Sequence, residues 1–245
     1  MTNLNVSFPL LLQLHNPQDK GSTKVSVLAQ AVSYLQDRLV HWGLSLEGID
    51  IVFDHWYLKP GMVQAAQQLG MVITTTLAKN EWVRLDNSKN VQLDYFLYHL
   101  VKTPLHHDTR LGKLGHYWRF FATHKLLGRV LIIVRRRQKR KGKYYAYDFL
   151  VTTNLDAKAI TVLRLIQKRW KIEVFFRESK QHLGLAKCFF HDFQTIVLYC
   201  RLRALTYLIL MLYRRKLCLP ARKKTIGKIK QRLHQSLLEY FKQAA

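Results

Sequence analysis

The sequence predicts an α/β fold in which a mixed, partly parallel sheet with flanking helices is interrupted by a long β-rich stretch. Up to residue 78, short apolar or β-branched runs typical of strands alternate with segments that have the 3.6-residue period of helices. Residues 79–154 instead contain short alternating stretches separated by turn residues, and two long helical segments follow. The composition is 49% hydrophobic and 12% aromatic, which supports a large core and excludes a disordered chain.

The first 78 residues predict three strands that alternate with two helices, which is the pattern of a partly parallel sheet. The strands are predicted at 6–14, 48–57 and 71–77, and the helices at 24–42 and 60–69. The second helix has Pro60 near its start and Gly70 at its end, positions at which these residue types are favoured.

The second predicted strand ends at Asp54, within the segment GIDIVFDHWY. Ligand sites of open α/β sheets gather at the carboxyl ends of strands, so Asp54 is a candidate site residue. A lone Asp at this position is also typical of a turn or of a helix cap. The strand pattern alone leaves both interpretations open.

The β-rich stretch contains the most basic segment of the chain. Strands are predicted at 82–85, 91–101, 117–123, 129–135 and 144–153, and no helix is expected between them. Residues 135–143, RRRQKRKGK, hold seven basic residues in nine, and tyrosines follow directly. Cations beside aromatic rings suit a phosphate backbone with stacked bases, so we expect nucleic acid to bind here. The cations expected to contact it are Arg135, Arg136, Arg137, Lys139, Arg140 and Lys141. A hairpin loop that only increases solubility is the alternative.

The charge of the whole chain points to the same class of partner. It has 40 Lys and Arg residues against 15 Asp and Glu, a formal net charge of +25. Such a charge opposes compaction unless a polyanion screens it, so nucleic acid is the expected partner. Three cysteines without a CxxC pair argue against a disulfide framework and a zinc site.

No membrane partner is expected from the sequence. The N-terminus lacks the pattern of a secretory signal, and the apolar run at 206–213 is too short to span a bilayer. We therefore expect a cytoplasmic protein in which this run belongs to a buried helix.

Residues 166–185, IQKRWKIEVFFRESKQHLGL, predict a helix, one stripe of which carries a single carboxylate among three cations. The residues on a single stripe of this helix are Arg169, Glu173, Arg177 and Lys180. Ion pairs between residues four apart stabilise a solvated helix by about 0.2–0.5 kcal/mol each, and that is one interpretation. The other is that Glu173 is a metal ligand and the cations hold phosphates around it.

Helical patterns extend on both sides of this segment. We expect Asn154 or Asp156 to cap the helix that carries Glu173, and Gly184 to end it. A second helix is predicted at 193–217, buried against the sheet, and a basic amphipathic helix at 221–245. The latter is either a peripheral helix packed on the body or a helix that binds a partner or the DNA backbone.

Two motifs together resemble those of bacterial insertion-sequence transposases of the DDE type. In the signature of this family, a Tyr is followed after two residues by Arg, then after three by Glu, and then after six by Lys. The segment RWKIEVFFRESKQHLGL supplies Arg169, Glu173 and Lys180 at matching positions. Ile166 stands where the family has Tyr. The segment IVFDHWY resembles the strand that presents the family's second catalytic Asp, at Asp54, and the resemblance covers residues 1–215.

The resemblance implies a ribonuclease H-like fold and a DNA cleavage and strand-transfer enzyme. It implies that Asp54 and Glu173 are catalytic and bind divalent metal, with two Mg²⁺ or Mn²⁺ ions in a complete site, so we expect their carboxylates within about 10 Å of each other. Lys180 and its neighbour Arg177 would contact DNA, and Arg169 would support the site. The catalytic domain would occupy 1–78 and 155–219, the inserted β-rich part 79–154, and the basic tail 220–245.

The sequence has no residue that matches the first catalytic Asp of the family. That Asp lies on the first strand of the family's sheet, and two more strands follow before the first helix. Here only the strand at 6–14 precedes the helix, and neither Asp19, in a turn, nor Asp37, in a helix, fits the role. The chain is therefore interpreted as the carboxyl-terminal portion of a transposase. The protein would then either be truncated or be completed by a separately encoded N-terminal portion. A second copy of the chain, forming a homodimer on DNA, is the other partner considered. A non-catalytic DNA- or RNA-binding protein, or a decayed remnant, is the alternative.

Overall fold

The computed structural model of the chain describes residues 18–20, 23–86, 89–108, 116–138, 145–216 and 225–244. The strand predicted at 6–14 and the cations Lys139, Arg140 and Lys141 lie outside these residues. The chain forms two compact units, one made of Lys20–Arg169 and one made of Met1–Asp19 with Trp170–Ala245.

The described residues form six α-helices and eight strands. The helices are α1 (Lys24–His41), α2 (Pro60–Gln68), α3 (Leu93–Leu100), α4 (Ala159–His182), α5 (Phe193–Lys216) and α6 (Ile226–Ala244). The strands are β1 (Asp50–Phe53), β2 (Val72–Leu77), β3 (Trp82–Leu85), β4 (Asn90–Gln92), β5 (His106–His107), β6 (His116–His124), β7 (Gly128–Gln138) and β8 (Tyr145–Thr152). Thr23 fixes the start of α1, because its hydroxyl accepts from the backbone N–H of Ser26 while the Ser26 hydroxyl accepts from that of Thr23.

All eight strands belong to one mixed sheet in the order β1-β2-β8-β7-β6-β3-β4, with β5 paired to β6. β1 and β2 are parallel, and the other pairs are antiparallel. The predicted α/β fold with a mixed sheet and flanking helices is therefore confirmed. Because β8 pairs with β2, the β-rich stretch shares one sheet with the first two strands.

The two faces of the sheet bury different helices, as the alternation along β7 shows. Val130, Ile132 and Val134 point into a core with α1, α2 and α3. Leu131 and Ile133 point to the opposite face and pack against the first half of α4. The strand period of two thus places the helices on both faces of the sheet.

Helix α3 contradicts the expectation of an all-strand segment at 91–101. Only Asn90–Gln92 pairs as a strand, and Leu93–Leu100 is helical. Leu93, Leu97 and Leu100 are buried at helical spacing in the core of the sheet. Tertiary burial of this apolar face decides in favour of the helix, although aromatic residues between the leucines also suit a strand.

The start of α4 also differs from its prediction. The helix begins at Ala159, and the carbonyl of Lys158 accepts from the backbone N–H groups of Thr161 and Val162. Asn154 instead closes an upstream turn, where its side-chain oxygen accepts from the N–H of Asp156. The predicted end is confirmed, because Gly184 follows His182 with a φ of 73°.

The unit that includes Trp170–Ala245 has its own small core. Its members come from the end of α4, from α5 and from α6, and include Phe175, Leu183, Ala204, Tyr207, Leu210, Ile226 and Ile229. The first half of α6 is therefore a packed helix, as one of the two interpretations of the basic tail expected. Further along the same face, Leu237 and Phe241 are 46% and 64% exposed.

Helix α5 is not buried as expected. One side of it packs into this core through Ala204, Tyr207 and Leu210, whereas its opposite side is exposed. Among the described residues, α5 is also the one helix long and apolar enough to cross a membrane, with a mean hydropathy of 1.6 over Phe193–Arg215. This criterion uses length and composition only, and core helices of soluble proteins also meet it.

Candidate active site

Asp54 directly follows β1, at the carboxyl end of the strand. Val52 packs toward α4, and the strand period places Asp54 on the same face of the sheet. The backbone of Asp54 is extended, with φ −80° and ψ 150°, and its carbonyl accepts from the N–H of Tyr57. The chain turns into a short 3-10 helix here, so the Asp54 carboxylate projects from the strand end, as the sequence predicted.

Two side chains contact the Asp54 carboxylate. Nδ1 of His55 lies 2.9 Å from Oδ1, and Nη1 of Arg169 donates to Oδ2 at 3.3 Å. The carboxylate is still 43% exposed, and the side chain of Arg169 is 24% exposed. Charge-assisted hydrogen bonds of this kind orient a carboxylate.

Of the two residues that contact Asp54, one was predicted from the sequence and the other was not. Arg169 was expected to support the site, and its contact with Asp54 joins positions 115 residues apart in the chain. His55 was not predicted as a site residue. The only signal for it in the sequence is its place directly after Asp54 in the D-H-W-Y segment.

Asp50 is a second carboxylate on the α4 face of β1. Burial raises its pKa, while the positive charge of Lys168 and a hydrogen bond with Thr74 oppose this shift. Four residues of extended strand separate Asp50 from Asp54, a distance of about 13 Å. The two carboxylates therefore do not share one ion.

Glu173 lies on α4 and is half-buried, in the unit that includes Trp170–Ala245. Arg177 and Lys180 are exposed on the same helix, so both can reach a ligand in solvent. The helix predicted for this stripe is confirmed by α4. The expected approach of Asp54 and Glu173 stays a prediction, since the two residues belong to different compact units.

The basic run at 135–143 divides into cations with different surroundings. Arg135 donates to Asp148 through Nε at 2.9 Å, and its side chain is only 12% exposed. Arg137 also pairs with Asp148 but is 49% exposed, and the guanidinium of Arg136 lies 4.5 Å from the ring centre of Tyr145. Arg135 is thus engaged within the sheet, whereas Arg137 reaches the surface and Arg136 stacks on a tyrosine.

The residues that the structure brings together do not by themselves form a metal site. Among the described residues, no group of three or more His, Cys, Asp or Glu side chains is placed to hold a metal ion. Asp54 offers two hard oxygen ligands, but a two-metal site needs several carboxylates.

The motifs around Asp54 and Glu173 both lie in the part of the chain that matches a known protein family. Residues 4–209 match the family model described as the transposase DDE domain, which includes both Asp54 and Glu173. A search of curated proteins gave no match. Because the family match covers most of the chain, the resemblance to DDE-type transposases is confirmed. The chain belongs to the DDE transposase family, whose members are DNA-cleaving and recombining enzymes that use divalent metal ions.

Proposed function

We propose that the protein is a DNA transposase in which Asp54 and Glu173 are the metal-binding carboxylates, with Mg²⁺ or Mn²⁺ as the ion. The observation that carries the proposal is the contact of Asp54 with Arg169, which belongs to the helix that also carries Glu173. When bound, two such ions activate the attacking oxygen and stabilise the leaving oxygen of an in-line displacement at phosphorus.

The remaining roles belong to residues of this chain. Arg169 orients the Asp54 carboxylate and balances its charge. Arg177 and Lys180, exposed on α4, bind phosphates of the DNA backbone. The Arg136 guanidinium and the Tyr145 ring contact a nucleotide, the first through its charge and the second by stacking. Arg137, Lys139, Arg140 and Lys141 add positive charge along the same segment.

The proposed organisation follows from these roles. The catalytic parts occupy residues 1–78 and 155–219, the β-rich part with the basic segment occupies 79–154, and the basic tail occupies 220–245. The partner is DNA of an insertion sequence, and the place of action is the cytoplasm with its nucleoid.

Metal binding tests the site directly. Mn²⁺ binding, followed by the electron paramagnetic resonance of the free ion, should weaken by about tenfold or more in Asp54→Asn and in Glu173→Gln, because an amide cannot supply the charge. Asp86→Asn is the matched control, since Asp86 is an exposed carboxylate that pairs with Arg129. Unchanged Mn²⁺ binding in both site variants would refute the assignment and leave a DNA-binding protein without catalysis.

DNA binding tests the cations. Replacing Arg177 and Lys180 together by Gln should reduce the log–log salt slope by about 1.8, which is 0.9 for each lost phosphate contact. Lys125→Gln is the control, because Lys125 is 73% exposed but outside the proposed DNA contacts. Equal slopes for the double variant and the control would show that the α4 cations do not contact phosphate.

The number of carboxylates that can bind metal determines whether the chain is expected to cut DNA. With two carboxylates proposed, the chain alone should not nick supercoiled plasmid in Mg²⁺ or Mn²⁺. Nicking by residues 1–245 alone that is lost in Asp54→Asn would instead place a third ligand within this chain, with Asp19 and Glu178 as the next substitutions.

A further inference from the structure

One side of helix α6 and the end of α4 form a polar pocket within the unit that includes Trp170–Ala245. Its volume is about 430 Å³, a size typical of sites for small ligands. The residues that line it are Gln181 and His182 of α4 and Gly227, Lys230, Gln231 and His234 of α6. Two helices thus contribute polar side chains to one concave site, which we call the α4–α6 pocket.

The sequence of α6 explains why its four lining residues share one side. Positions 227, 230, 231 and 234 follow the spacing of a single helical stripe. Ile226, Ile229 and Leu233 form the neighbouring apolar stripe and pack into the core of this unit. Burial of the apolar stripe fixes the rotation of α6, and this rotation brings the polar stripe against the end of α4.

Two contacts join the helices at the pocket. Nζ of Lys230 donates to the backbone carbonyl of His182 at 3.4 Å, so the ammonium group of α6 lies at the last residue of α4. The His182 ring lies against Gly227, where a Cβ would come within 2.9 Å of Cε1 and Nδ1 of the ring. The lysine is therefore held at the junction of the two helices, and glycine gives the ring its place beside the α6 backbone.

The chemistry of the lining favours an anion. Lysine, histidine and glutamine side chains all have N–H donors, and an ammonium group has three, of which the His182 carbonyl accepts one. No carboxylate is among the described residues that line the pocket, and Glu178, one turn before His182, is hydrogen-bonded to Tyr207. Two histidines also suit a transition metal, but the charge of Lys230 opposes a cation.

We propose that the α4–α6 pocket binds a terminal phosphate group, that is, a phosphomonoester. At pH 7 such a group carries a charge of about −1.5 to −2 and has three oxygens that accept hydrogen bonds, which matches one ammonium group among several N–H donors. A phosphodiester of the DNA backbone has one negative charge and continues as chain on both sides. It therefore suits an open surface, such as the exposed cations of α4, whereas a concave pocket suits the end of a molecule.

Two sources offer this group, a free nucleotide and the 5′-terminal phosphate of a DNA strand. The pocket is larger than one phosphate group, so the sugar of either source has room beside it. Binding here uses none of the carboxylates that the proposed function assigns to metal. The proposal therefore stands or falls independently of the roles of Asp54 and Glu173.

Titrations of the full chain followed by phosphorus NMR test the proposal without metal. In about 0.3 M NaCl, charges are screened beyond about 6 Å, which limits unspecific attraction to the net charge of +25. Inorganic phosphate and AMP should each bind with a dissociation constant below about 1 mM. Dimethyl phosphate, a diester, should bind about tenfold more weakly or worse, because it has fewer free oxygens and less charge.

Lys230→Gln is the test variant, and Lys228→Gln is its matched control. Both lysines are exposed on α6, but of the two it is Lys230 that lines the pocket. Lys230→Gln should raise the dissociation constants of phosphate and AMP about tenfold or more, and Lys228→Gln should change them less than about twofold. Gln is a good helix former, so both variants should keep the circular dichroism spectrum of the wild type. His234→Gln repeats the test if Lys230→Gln loses helix content.

A short oligonucleotide with a 5′-phosphate, compared with its 5′-hydroxyl form, distinguishes the sources. Tighter binding of the phosphorylated form that is lost in Lys230→Gln identifies a DNA end as the source. Equal binding of both forms, with AMP binding that still depends on Lys230, identifies a free nucleotide. The proposal is wrong if neither phosphate nor AMP binds at about 10 mM, if dimethyl phosphate binds as tightly as they do, or if the control variant loses binding equally.

Discussion

Replacing Asp148 by Asn should destabilise the unit Lys20–Arg169 by about 2–3 kcal/mol. The Asp148 carboxylate is 20% exposed and accepts from Arg135 Nε at 2.9 Å and from Arg137 Nη2 at 2.8 Å. An amide of the same shape leaves two adjacent guanidinium groups without a counter-ion. Loss of one partner costs about 3–5 kcal/mol in a fully buried ion pair and about 0–1 kcal/mol in an exposed one, and this site lies between those limits.

Urea unfolding followed by tryptophan fluorescence measures this cost. Trp118 is 4% exposed and packs on Tyr147 in the same sheet, so its emission reports the loss of this packing. The control is Asp86→Asn, which removes an exposed ion pair with Arg129 at 3.2 Å and should cost no more than about 0.5 kcal/mol. If Asp148→Asn costs no more than the control, the cluster around Asp148 is a solvated surface and the reasoning is wrong.

Three further predictions concern other sites. Burial, together with the Glu178 carboxylate, raises the pKa of Tyr207 from 10.0 to about 12. The neutral phenol of Tyr207 therefore contributes fully to the stability of the fold below pH 10, and this contribution is lost as the pH rises towards 12. Thermal melts of Tyr207→Phe should show a smaller alkaline decline than those of the wild type, and an identical decline would contradict this. Burial raises the pKa of Asp50, so its contribution to stability falls as the pH rises from acid through that pKa. Asp50→Asn should therefore melt higher than the wild type at pH 7, and a lower melting temperature would show that the Lys168 charge outweighs burial. A Cβ on Gly227 would come within 2.9 Å of the His182 ring, so Gly227→Ala should speed hydrogen exchange in α6; unchanged exchange would show that the ring moves aside.

Local patterns sufficed for most elements and for the strand end that carries Asp54. The alternation of β7 and the helical spacing of the apolar residues in α1 are short-range features, so the sequence displays them directly. Helix α3 was not predicted, because its formation depends on where three leucines pack. The residues against which they pack are distant in the sequence, so a local pattern does not reveal the helix.

The candidate site was less predictable for the same reason. The resemblance to the family signature on α4 identified Arg169 as a site residue, but its partner Asp54 is 115 positions away and lies on another element. The basic run at 135–143 looked uniform in sequence. Its division depends on Asp148, which the register of β7 and β8 places opposite Arg135. Contacts set by register between strands cannot be read from charge counts along the chain.

The pairing of β2 with β8 has a consequence for how this fold tolerates change in length. Leu77 at the end of β2 is directly opposite Phe149 in β8, so residues 78–148, which form β3 to β7 and the first half of β8 in the same sheet, begin and end at one point beside β2. The entropy of closing such an excursion grows only with the logarithm of its length, by about 0.6 kcal/mol for each doubling. Changes of length in the loops that connect these strands, as distinct from the strands themselves, therefore leave the strand that ends at Asp54 in place, and the carboxylate keeps its position.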